Sequence, residues 1–196
     1  MKLRRFIYIA VCTLVTLFGI TNITSANYLY KSSLGYSLQC PEKPVGVIPA
    51  SVFYHDDRKG EVLVFANDGY AINRAWIILP DGFENSALPD LDNLKQNEVD
   101  KLLATLRANS AYEFVDYLPI AVKTRGILAV TAKEIEIDTD GDGVTDEVAK
   151  ADTQMVITFF RSPKGTRYAM ELIDNPELTQ EAVSAYKMGL ATFQEE

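Results

Sequence analysis

An α+β fold, an antiparallel sheet with helices packed on its faces, is what the order of elements in this 196-residue chain predicts. Three observations carry that reading. Short apolar or alternating runs are separated by turn residues, as in hairpin-linked strands. Two longer segments, one central and one C-terminal, carry apolar stripes at helical spacing that need a sheet face to cover. The elements run as short strands, helix, several long strands, helix.

Residues 1–5 include Lys2, Arg4 and Arg5, residues 6–20 are apolar and uncharged, and the small residues Thr24-Ser25-Ala26 come next. This is the layout of a secretory signal peptide over residues 1–26. The mature chain is therefore expected to begin near Asn27, to form one domain over 27–196, and to work outside the cytoplasm, in a periplasm or cell envelope or as a secreted protein. The apolar run is short for a membrane span, which takes about 17–25 residues. Retention as an N-terminal membrane anchor is the alternative.

The net charge is −8, and losing the leader with its three cations and no acid brings it near −11. Such acidity argues against nucleic acid and against anionic membrane surfaces as partners. An unidentified protein partner stays open. Cys12 falls in the leader, so Cys40 stands alone in the mature chain and no internal disulfide is expected. A lone cysteine before a proline reads as a half-buried apolar residue.

Residues 34–41 read as a short strand stopped by Pro41, and Pro41, Pro44 and Pro49 divide the next stretch into edge strand and loop. Residues 50–54 are a strand candidate, 55–60 a polar hairpin turn ending in Gly60, and 61–65 the returning strand. The sole histidine, His55, belongs to that turn, with no second histidine or cysteine beside it to make a metal or catalytic site. Residues 75–79 form a further strand, ended by Pro80-Asp81-Gly82.

A helix is expected near 93–108, with Leu91, Leu94, Val99, Leu102, Leu103 and Leu106 as one stripe, and Asn93 with Gln96 resembles a capping box. A short strand at 112–115 is next, then a strand over 126–137, a central strand over 154–160, a turn at 162–165 and a return over 167–173. The last helix is expected over 176–193, with Asn175 as N-cap, Pro176 at the first helical position, and Leu178, Ala182, Tyr186, Leu190 and Phe193 as its buried face.

The chemically specific stretch is Asp138-Thr139-Asp140-Gly141-Asp142-Gly143-Val144-Thr145-Asp146-Glu147. Calcium is a hard cation that takes about 6–8 oxygen ligands. Counting Asp138 as position 1, carboxylates fall at 1, 3 and 5 (Asp138, Asp140, Asp142), the Val144 carbonyl at 7 and Asp146 at 9. Gly143 falls at position 6, where the backbone must turn. Position 12 is Ala149 rather than a bidentate Glu, and Lys133-Glu134-Ile135-Glu136-Ile137 alternates as a strand. The loop is therefore not part of a helix-loop-helix hand. It is expected between two strands of one sheet, holding a structural calcium, and the alternative is an ordinary solvated acidic turn. Over about ten residues it resembles the DxDGDGxxD loops of FG-GAP, dockerin-like and thrombospondin type 3 repeats, whose aspartates bind calcium.

A second resemblance spans about residues 28–193. Gly35-Tyr36-Ser37-Leu38 and Pro41 precede paired strands and a long helix. Strands with Gly165-Thr166-Arg167-Tyr168 come after it, and then a final helix ending in Thr192-Phe193. This order looks like the PsbP-like family, which implies an α/β/α sandwich and a binding or assembly role in place of catalysis. The tryptophan often found after the early proline is absent, with Pro44 in that region, and no functional residue is carried over. No G-x-S-x-G or H-E-x-x-H motif occurs, so no catalytic residue is assigned. The expectation is an exported, non-catalytic binding or assembly module stabilised by calcium. The alternatives are a cell-envelope hydrolase using Asp/Glu carboxylates and a membrane-anchored scaffold.

Overall fold

The computed structural model describes residues 28–81, 89–121, 123–150 and 154–196. The expected leader, with Cys12, its cleavage site and the Asn27 terminus, lies outside the described residues, as does Gly82. The described residues form three sheets. Strands β1 (Tyr28–Lys31), β2 (Tyr36–Cys40) and β12 (Gln194–Glu195) make a small layer in the order β1-β2-β12. The main sheet runs β3 (Gly46–Pro49), β4 (Glu61–Asn67), β5 (Ile72–Pro80), β11 (Arg167–Asp174), β10 (Met155–Arg161), β7 (Thr124–Thr131), β6 (Tyr112–Ala121). Strands β8 (Glu134–Ile137) and β9 (Glu147–Lys150) form a separate ribbon. Every paired strand is antiparallel to its neighbour. Among the described residues three helices, α1 (Ala50–Tyr54), α2 (Gln96–Arg107) and α3 (Gln180–Ala191), complete a mixed α+β class.

The main sheet is covered on both faces because its strands are apolar on both. One face sends Leu63, Trp76, Leu128, Phe160, Met170 and Leu172 against α3 and the small layer. Helix α3 supplies Ala182, Tyr186 and Leu190, with Phe193 just beyond its end, as its stripe predicts. Phe193 lies between the rings of Tyr36, Phe160 and Tyr168 at centroid distances of 5.3, 5.0 and 4.8 Å. The buried Glu61 carboxylate accepts from the Tyr36 hydroxyl and ties the small layer to β4. At the other end, Thr166 Oγ1 donates to Glu195 at 2.6 Å, and the hydroxyls of Ser162 and Tyr168 bond the same carboxylate.

The opposite face is covered in two places. Around α2, Leu91 and the partly buried Leu94, Leu102, Leu103 and Leu106 pack on Val115, Ile127 and Ala129, and Val99 is buried. At the far end, α1 packs Ala50, Phe53 and Tyr54 on Val62, Ile77 and Ala169.

Several expectations are corrected. Residues 50–54 are helix, not strand. Their apolar residues fall at i, i+3 and i+4, which a short run cannot distinguish from a strand by itself. The hairpin partner of β4 is β3, one step earlier. His55 closes α1 in the left-handed conformation, φ 58°, and is exposed. Helix α2 begins at Gln96, not 93: the Glu98 carboxylate accepts from the Lys95 N–H at 2.8 Å, while Asn93 Nδ2 is engaged by Asp90 at 2.6 Å. Helix α3 is capped by Thr179, not Asn175. The Asp174 carboxylate takes the Thr179 N–H and hydroxyl, and holds 175–178 as a loop. The strand expected over 126–137 is two strands, separated at Ala132, whose N–H donates to the Ala111 carbonyl. Strand β6 runs ten residues, well past the expected 112–115.

Candidate metal centre

The ribbon that carries the acidic loop is exposed along most of its length, with only Ile135, Ile137 and Ala149 partly covered. The loop joins two antiparallel strands of one sheet, as expected, but that sheet is the two-stranded β8–β9 arm outside the main sheet and not part of the core. The physical reason is the break at Ala132: β7 ends there, and β8 leaves the ladder that β10 continues.

At the tip the backbone folds around the first aspartate. Asp138 Oδ1 accepts from the Gly141 N–H at 2.6 Å and Oδ2 from the Gly143 N–H at 2.8 Å. Gly141 and Gly143 both sit at positive φ, 79° and 85°, a region open to glycine and costly for most side chains. Across the loop, Asp146 Oδ2 accepts from the Thr139 N–H at 2.9 Å and from its hydroxyl at 2.5 Å. The Asp146 N–H in turn donates to the Ile137 carbonyl at 2.9 Å, which closes the ribbon. The Gly143 and Gly141 amides hold the Asp138 carboxyl below its ordinary range. The Thr139 hydroxyl and amide do the same for Asp146.

These bonds bring Asp138, Asp140 and Asp146 together, with one carboxylate oxygen of each within 4.8 Å of the others. Among the described residues they are the one such group of three potential ligands. Asp142 is not in it; its Oδ1 accepts from the Val144 N–H at 2.7 Å, as Asp140 Oδ1 accepts from the Asp142 N–H at 3.2 Å. Ligand spacing passes over Thr139, although a hydroxyl between two acidic residues is a common turn-capping element. The donor set fits calcium. All three groups are hard oxygen donors, and with metal–oxygen bonds of about 2.3–2.6 Å two ligand atoms on one ion are at most about 5 Å apart.

The other sequence candidates lie apart from this tip. His55 is exposed at the end of α1. Cys40 is buried more fully than expected, and burial pushes its thiol up to about 12. No family model matches the chain, and no curated protein matches it. Among the described residues no helix is long and apolar enough to cross a membrane.

Proposed function

We propose that this chain is an exported, non-catalytic binding or assembly module of the cell envelope, with one calcium ion held at the tip of its β8–β9 arm. Asp138, Asp140 and Asp146 are the protein carboxylates of that site, the Val144 carbonyl is a fourth ligand, and water fills the rest. The observation that carries the reading is the convergence of three carboxylates on a two-stranded arm outside the main sheet. A two-stranded hairpin by itself is marginal in water. An ion shared by Asp138 and Asp140 at the end of one strand and Asp146 at the start of the next would link the two.

We take the fold to be a PsbP-like α/β/α sandwich. What supports this is the covering of both sheet faces and the Phe193 ring, just beyond the end of α3, in the aromatic cluster. The leader layout supports an extracytoplasmic location, where calcium is plentiful enough for a weak site.

The test is calorimetric titration of calcium into the purified protein, with amide exchange monitored over 134–150. The expected dissociation constant is roughly 10⁻⁴–10⁻³ M, because position 12 offers no bidentate carboxylate. Protection of the arm should rise on loading, and Asp140→Asn should weaken both effects. No binding heat and no change in arm protection would leave an ordinary acidic turn.

A further inference from the structure

We draw no further inference here: the strongest candidate, the apolar groove of about 270 Å³ between β3 and the β4–β5 hairpin, lined by Val45, Ile48, Val64 and Ile72 beside the fully exposed Tyr70, carries nothing because nothing in the structure shows what covers it.

Discussion

Gly189 of α3 lies directly against the indole of Trp76 on β5: a Cβ built on Gly189 would sit 2.6 Å from Trp76 Cζ3 and 2.7 Å from Cη2. Both residues are buried, and Trp76 is fixed by Phe65 and Tyr186, with ring centroids 5.0 and 6.0 Å away. The helix can approach the sheet this closely only where a side chain is missing. Gly189→Ala should therefore destabilise the protein. Overpacking costs about 1–3 kcal/mol, against a helix-propensity gain of about 1 kcal/mol. The urea midpoint should fall, and the penalty should shrink in a Trp76→Phe background, because the two positions share one contact. An unchanged or higher midpoint for Gly189→Ala would refute this packing.

Asp174 gives an acid-sensitive anchor for α3. It is buried, 2.9 Å from Arg74 Nε, and it accepts from the Thr179 N–H at 2.9 Å and the Thr179 hydroxyl at 2.6 Å. Burial by itself would push the carboxyl up, but the Thr179 hydroxyl and amide and the Arg74 guanidinium outweigh it, and the net shift is downward. A lowered folded value means that the unfolded chain binds the proton more readily. The stability this group contributes is fully present above the ordinary aspartate range, near pH 4, and is lost as pH falls through the folded value. Asp174→Ala should cost about 3 kcal/mol near neutral pH, since it leaves Arg74 and the cap without a partner. It should also flatten the acid limb of the stability curve. Urea denaturation at several pH values between neutrality and strong acid measures both. Parallel wild-type and variant curves would be the contrary outcome.

Calcium should raise the melting temperature of the wild type. At about 10 mM calcium the expected affinity gives a ligand excess of roughly 10–100 over the dissociation constant, hence about 1.4–2.7 kcal/mol. Chelator should return the protein to its metal-free melting point. Asp138→Asn should lose the response most completely, because it removes a clustered carboxylate that also accepts from Gly141 and Gly143. Asp142→Asn, outside the cluster, should keep more of it. Equal responses in the wild type and Asp138→Asn would count against the ligand set.

Cys40 should be inert in the folded protein. With the thiol pushed from 9.0 up to about 12, the thiolate fraction at mildly alkaline pH drops about a thousandfold, and the side chain is buried besides. Alkylation with peptide mapping should find Cys40 unlabelled until denaturant is added. Prompt labelling under native conditions would place the sulfur at the surface.

The sequence by itself determined the class of fold and the composition of its layers. The two apolar stripes, at 91–106 and 178–193, and the continuous run at 154–160 are set by local periodicity, and periodicity survives in the folded chain because it matches the geometry of one element. It also determined the loop chemistry, since alternating aspartates and two glycines act within ten residues of one another. Tertiary structure decided the rest. Helix α1 replaces a strand because Ala50, Phe53 and Tyr54 find a sheet face to cover, which the run itself does not encode. Thr179 caps α3 because Asp174, fixed at the end of β11 by its pairing with Arg74, takes the preceding turn out of the helix. The arm stands apart because the Ala132 amide bonds to Ala111, more than twenty residues earlier. Within the loop, the folded backbone brings Asp138, Asp140 and Asp146 together and leaves Asp142 outside the group, a three-dimensional outcome that alternate spacing by itself leaves open.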